Sequence, residues 1–203
     1  MIWDTILQPF AEFGFMRRAL LGCIAISVGA TPVGTFLMLR RMSLTGDAMA
    51  HAILPGAAVG FLVFGLSLIP MTIGGLTAGL LVALLSGFVT RMTILREDAS
   101  LAAFYLISLA IGVLIVSTRG SNVDLMHVLF GTVLALDDAT LILLCAISSF
   151  SLITLSLLFR PLVLECADPQ FLRSVSGLSA ITHFTFLLLV VLNLVGGFHA
   201  IGT

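Results

Sequence analysis

The sequence predicts an all-α, polytopic bundle of membrane-spanning helices. Three observations carry that reading. Hydrophobic residues make up 60% of the chain and charged residues only 9%, and the mean hydropathy is +1.23. The apolar residues gather in charge-free runs close to the roughly 20 that a helix needs to cross a bilayer. A soluble domain carries about 25% charged residues, so the whole of residues 1–203 reads as one transmembrane domain. The chain contains no lysine, which removes the P-loop signature, since that loop needs a lysine to reach the terminal phosphates. If ATP drives this protein, another subunit binds it. Arginines scattered in ones and twos form no basic stripe, which argues against nucleic-acid binding.

Residues 1–18 place Asp4 and Glu12 ahead of the first arginines and lack a basic n-region or a small-residue cleavage site. They do not read as a cleaved signal peptide. Trp3, Phe10, Phe13 and Phe15 predict a segment lying at the membrane interface. Cys23, Cys145 and Cys166 form no C-x-x-C pair and read as small hydrophobes rather than a disulfide framework.

The first span is expected at 19–39, with Pro32, flanked by Gly29 and Gly34, kinking it and freeing the carbonyl of Val28. Residues 48–90 carry no formal charge, about twice what one crossing requires, so this stretch must fold back. Gly65 to Pro70 is the natural reversal, giving spans near 48–65 and 71–90. A polar loop, 91–98, precedes a fourth span at 99–118. The apolar run 125–136 is too short to cross; it is interfacial, re-entrant or an extension of the next helix. A fifth span is expected at 139–159, opened by Asp137 and Asp138, and a sixth at 178–203. Gly56 with Gly60, and Gly75 with Gly79, have the small-x-x-x-small spacing that lets helix backbones approach in lipid.

With strict alternation, Arg40, Arg41, Arg91, Arg96, Arg160 and Arg173 fall on one side and Arg17, Arg18 and Arg119 on the other. The positive-inside rule puts the larger set in the cytoplasm and the N-terminus outside.

The chemistry gathers at Asp47 and His51, at the mouth of the second span. Four residues is one helical turn, so both side chains project from one face. Pro55 has no amide to offer the carbonyl four residues earlier, which belongs to His51. A carboxylate, an imidazole and a free carbonyl suit a divalent cation, with zinc or manganese favoured over copper(I) by the mixed N/O donors. Taken alone, Asp47 also reads as a helix cap.

The loop 160–176 holds a second informative stretch. Asp168 suits an N-cap, Pro169 the first helical position and Gly177 the residue past a helix end. The implied helix, 169–176, has Phe171 and Val175 on one face with Leu172 beside them. It either docks in a groove of a soluble subunit or packs back on its own bundle. His199 lies deep in the sixth span, where an imidazole needs a partner and reads as a metal or gate residue. His183 is expected to be solvated near the cytoplasmic interface. His127, beside Asp124, stands where an incoming ion would meet it. Glu97, Asp98, Asp137 and Asp138 precede helices, where carboxylates favour the dipole.

The segments Arg40-Arg41-Met42-Ser43, Gly46-Asp47-Ala48, Ala50-His51-Ala52 and Leu54-Pro55-Gly56, in register, resemble the most recognisable motif of the ABC-3 metal permeases. These are the permease subunits of ATP-binding-cassette importers for zinc, manganese or iron. Leu129-Phe130-Gly131, and Asp168 with Phe171 and Gly177, also fit that pattern, and the similarity runs from about Phe13 onward. The resemblance implies that Asp47 and His51 handle the metal along its path. It implies that Asp168 to Gly177, with Phe171, Leu172 and Val175, form the coupling helix that contacts the ATPase. It further implies a second permease copy, separate ATPase subunits and an extracytoplasmic metal-binding protein. Such permeases carry about eight spans, so a chain with about six is expected to be incomplete at its C-terminus.

The expectation is therefore a multi-pass permease of the bacterial inner membrane that moves zinc or manganese, with iron as a further cargo. It would have no permanently bound cofactor and no hydrolase activity of its own. The alternatives are a proton-coupled secondary transporter using Asp47 and His51 as a relay, a siderophore- or cobalamin-type ABC permease, and a non-transporting scaffold.

Overall fold

The computed structural model describes residues 12–42, 44–65, 67–119, 136–175 and 177–201. Eight helices fill the described residues: α1 (Gly14–Leu39), α2 (Thr45–Phe64), α3 (Leu68–Met92), α4 (Glu97–Arg119), α5 (Asp138–Leu157), α6 (Phe159–Ala167), α7 (Pro169–Val175) and α8 (Leu178–Ile201). Six of them, α1 to α5 and α8, are long and apolar enough to cross a membrane. The all-α polytopic class and the number of spans follow the sequence expectation. The predicted loop at 160–176 does not: most of it is helical, because α5 breaks at Leu158 and α6 resumes one residue later. The run 125–136 lies outside the described residues except for Leu136, as do Trp3, Phe10, Asp124, His127 and Leu129-Phe130-Gly131.

Between helices in lipid there is little hydrophobic driving force, so close packing and polar clasps hold the bundle. The reversal between α2 and α3 is made by Gly65 at φ +72° and ψ −158°, a positive-φ conformation that essentially only glycine adopts without strain. Beyond it the two helices touch backbone to backbone. A Cβ on Gly56 would collide with the carbonyl of Gly74, one on Gly74 with that of Gly56, and one on Gly60 would lie 2.6 Å from the carbonyl oxygen of Pro70. Gly75 and Gly79 make room for Ile53 of α2 and Val191 of α8.

The α1–α2 corner is a Schellman turn. The amide of Met42 donates to the Leu37 carbonyl and that of Arg41 to the Met38 carbonyl, both at 3.0 Å, with Arg41 in the left-handed region at φ 59°. Met42, buried, packs in the same cluster as Leu37. The turn sends the two arginines opposite ways, Arg40 inward and Arg41 outward. Pro32 and Pro55 both sit inside continuous helices.

The last span, α8, is the hub: it touches α1, α2, α3, α5, α6 and α7. Its Leu187, Val191 and Val195 join Met49, Ile53, Val82 and Leu101 in one core cluster. Phe186, Leu189 and Val190 join Val33, Phe36, Leu155 and Leu162 in a second.

Candidate functional site

Helix α2 begins at Thr45, so Asp47 falls in its first turn and makes no capping hydrogen bond. Asp47 is thus not the N-cap, which is Leu44, but a first-turn carboxylate where the helix dipole favours it. Its Oδ1 lies 3.7 Å from His51 Nε2, with the Asp47 side chain 78% exposed and that of His51 38%. The one-face reading of the pair holds. His51 stacks on Tyr105 of α4, ring centroids 6.3 Å apart, and its other nitrogen, Nδ1, is buried without a hydrogen-bond partner.

A cavity of about 120 Å³ opens beside the pair, between α2 and α4, lined by Asp47, Thr45, Asp98 and Tyr105 among others. Asp98 Oδ1 and Thr45 Oγ1 are also buried without hydrogen-bond partners. A buried carboxylate oxygen with no donor is costly, so the helix-dipole explanation for Asp98 is incomplete. Asp98 lines the same cavity as Asp47. Among the described residues no three carboxylate, imidazole or thiol groups converge tightly enough to enclose an ion. The region is an open set of polar side chains.

The backbone beside it is shaped by Pro55. Ser108 of α4 donates to the carbonyl of Ala52 at 3.1 Å, one residue past the carbonyl that Pro55 leaves without its amide. Gly112 lets α4 approach Pro55, since a Cβ there would stand 3.3 Å from the proline ring.

His199 does not join this group. Helix α8 starts at the end of the bundle that holds α6 and α7 and carries His199 to the opposite end. There Nδ1–H donates to the Val195 carbonyl at 2.9 Å and Nε2 faces the Thr72 hydroxyl at 3.1 Å. His183 is a correction to the sequence reading: it is buried, with Nδ1 3.9 Å from Glu165 Oε1. Glu165 in turn forms a 2.7 Å ion pair with Arg40, whose guanidinium lies over the Phe186 ring at 4.7 Å. Sequence reading missed this group. The clue was a lone acid, Glu165, at i,i+3 from Leu162 and so on the same, otherwise apolar, face of the helix.

At the short helix α7, Asp168 caps as expected, its Oδ1 accepting from the amides of Phe171 at 2.9 Å and Gln170 at 3.0 Å. Leu172 is buried at 5% exposure while Phe171 is 51% exposed. Leu172 anchors the helix to the bundle and Phe171 points away from it. Gly177 follows the helix as part of a turn. The Val175 side chain lies outside the described set. At the other end of the bundle Asp137 caps α5, accepting from the Thr140 amide at 2.9 Å. Its hydrogen bonds to Thr140 hold its carboxyl below the usual range. Burial raises the Cys166 thiol against the opposing pull of Arg40.

Residues 12–203 match the family model described as the ABC 3 transport family. The chain is 35% identical over 197 residues to the manganese import system permease protein ScaB of Streptococcus parasanguinis, covering 97% of this chain and 69% of that protein. It is 32% identical over 192 residues to the manganese transport system membrane protein MntC of Halalkalibacterium halodurans, covering 94% and 64%. Among solved structures, PsaBC from Streptococcus pneumoniae in complex with Fab superposes with a TM-score of 0.81 at 29% identity, over 100% of this chain and 71% of that one. This multi-spanning chain belongs to the ABC 3 transport family.

Proposed function

We propose that this chain is the permease half of an ATP-binding-cassette importer that carries manganese(II) across the bacterial inner membrane. The observation that carries the reading is the set of unsatisfied donors at one membrane mouth: the Asp47–His51 pair, with His51 Nδ1 and Asp98 Oδ1 buried without partners. Two carboxylates to one imidazole form an oxygen-rich set, which suits manganese better than softer ions. The manganese-import relatives support the same cargo. An open set holds an ion only transiently, as transport requires.

The same end of the bundle carries Arg40 and Arg41, the α3–α4 loop and the α6–α7 segment. The positive-inside rule makes this the cytoplasmic end. Asp47, His51 and Asp98 then serve the inner half of the path, while His199 belongs to the outer half. Helix α7, seated by Leu172 and exposing Phe171, offers the surface for a separate ATPase subunit. A second permease copy and an extracytoplasmic binding protein complete the proposed machine.

The test is uptake of labelled manganese by cells expressing the complete transporter, at matched membrane abundance. Asp47→Ala, His51→Ala and Asp98→Ala should each abolish most uptake while the complex still assembles. Undiminished uptake in all three sinks the site. Equal uptake of zinc or iron(II) in competition would reassign the cargo, and loss of uptake on collapsing the proton gradient at constant ATP would favour a proton-coupled carrier.

A further inference from the structure

The group formed by Arg40, Glu165, His183 and Phe186 is unused by the proposed ion path, yet it is the most heavily buried set of charged side chains among the described residues. Arg40 is 8% and Glu165 6% exposed, paired at 2.7 Å. Removing two charges from water is expensive, and leaving one of them unpaired is worse. One use of such a pair is to fix the arrangement of the parts it joins. Here it joins α1 to α6, while the Phe186 ring beneath the guanidinium and His183 beside the carboxylate tie both to α8.

What lies at each end of the pair gives it direction. Glu165 stands three residues before Asp168, and the Asp168 carboxylate caps α7. The amide of Asp168 also donates to the Leu164 carbonyl at 2.8 Å, so α6 and α7 share one hydrogen-bonded joint. At the other end Arg40 closes α1 at the Schellman turn, where the amides of Arg41 and Met42 are both bonded back into the helix. The Thr45 amide then donates to the Met42 carbonyl at 3.2 Å and starts α2, with Asp47 in its first turn and His51 one turn on. The corner is short, bonded back at Arg41 and Met42 and forward from Thr45, and packed by Met42, a path by which a displacement of Arg40 reaches the Asp47 turn.

We propose that the Arg40–Glu165 ion pair is the mechanical link through which the cytoplasmic helix α7 acts on the Asp47–His51 end of α2. This rests on the permease reading above. Both residues are positioning residues: neither meets the ion, and each acts by fixing the distance between the α6–α7 joint and the α1–α2 corner. The link makes ion movement depend on the position of α7, and cutting it leaves α1 and α6 joined, among the described residues, by the apolar contacts of Val33 and Phe36 with Leu162 and Phe159.

The experiment uses the full transporter in proteoliposomes, with manganese uptake and ATP hydrolysis measured in the same vesicles. Arg40→Gln and Glu165→Gln should each lower the ions moved per ATP by about tenfold, within the usual span of coupling between sites, with ATPase rate and subunit stoichiometry near wild type. The exchange Arg40→Glu/Glu165→Arg should recover part of that ratio. A normal ratio in both single variants overturns the proposal. If the variants do not assemble, the unaltered pair is tested instead. In a Cys23→Ala/Cys145→Ala background, Cys166, next to Glu165, should be alkylated at different rates in nucleotide-free and nucleotide-trapped complexes. Equal rates overturn the link. A wild-type complex that hydrolyses ATP but moves no metal fails the permease reading instead, and the Cys166 rates still judge the link on their own.

Discussion

Ser108 on α4 donates its hydroxyl to the backbone carbonyl of Ala52 on α2, at 3.1 Å and away from solvent. This clasp lies one turn before Pro55, where the helix lacks an amide, and four residues before Gly112, which admits the proline ring. The two contacts set how closely α4, and with it Asp98 and Tyr105, stands to the Asp47–His51 face. Ser108→Ala removes one interhelical bond, typically worth about 0.6 kcal/mol in a membrane protein, and should lower the unfolding midpoint in detergent only slightly. Gly112→Val should do far more to uptake, because its side chain must push α4 off Pro55. A Gly112→Val transporter with normal manganese uptake would show that this spacing does not matter.

Asp98 separates two explanations by charge. If its carboxylate holds the passing ion, Asp98→Asn keeps the shape, loses the charge and should lose most uptake. If it only favours the α4 dipole, Asp98→Asn costs about 0.3–1 kcal/mol of stability and leaves uptake unchanged. The comparison is manganese uptake against unfolding midpoint in the same two proteins.

The number of spans, the Gly65 reversal, the caps at Asp137 and Asp168 and the Asp47–His51 pair were all legible because each depends on a few neighbouring residues. Asp98 and the Arg40–Glu165 pair were not, because their meaning depends on which spans become neighbours. In a soluble protein the polar face of each helix would restrict that choice. Here the lipid-facing sides, with residues such as Ile69, Leu114, Ile142 and Leu157 exposed, are as apolar as the interior. The sequence pattern therefore left the facing of each helix open. His183 was misread for the same reason: nothing local indicates that Glu165 will cover it.

The α2–α3 contact predicts a contrast among glycines. Gly56→Ala and Gly74→Ala each place a methyl against a backbone carbonyl that no rotamer change can move. Each should destabilise by about 1–3 kcal/mol, the usual cost of overpacking. Gly34 has open space where its Cβ would be, so Gly34→Ala should instead stabilise α1 by about 0.5–1 kcal/mol through the helix propensity gained. Thermal unfolding of the purified chain in detergent, with the three variants side by side, checks both signs.

Asp137 carries a pH dependence. Its carboxyl is held below the usual range by its bonds to Thr140, so the folded state favours the charged form. That contribution is present above the unfolded carboxyl value of about 3.9 and is lost as pH falls through the lower folded value. At neutral pH Asp137→Ala should cost about 0.5–2 kcal/mol, the range for losing an N-cap, toward the lower end because the carboxylate is solvated. The difference between wild type and Asp137→Ala should shrink below about pH 4 as the carboxyl protonates. A difference that persists unchanged in acid would assign the effect to packing instead.

Arg41 takes a left-handed conformation at φ 59°, which costs an L-residue with a Cβ about 1–2 kcal/mol. Glycine takes that conformation freely but has more unfolded-state entropy to lose, about 0.5–1 kcal/mol, so Arg41→Gly should stabilise the fold by up to about 1 kcal/mol. Arg41→Ala keeps the Cβ and the strain, and its exposed side chain has little to lose, so it should leave the midpoint nearly unchanged. The two variants remove the same charge and differ only in the backbone. A gain with glycine and none with alanine would therefore locate the strain in the turn itself. Equal midpoints would mean that the corner relaxes around Arg41, and a corner that yields in this way could not carry motion from Arg40 to Asp47.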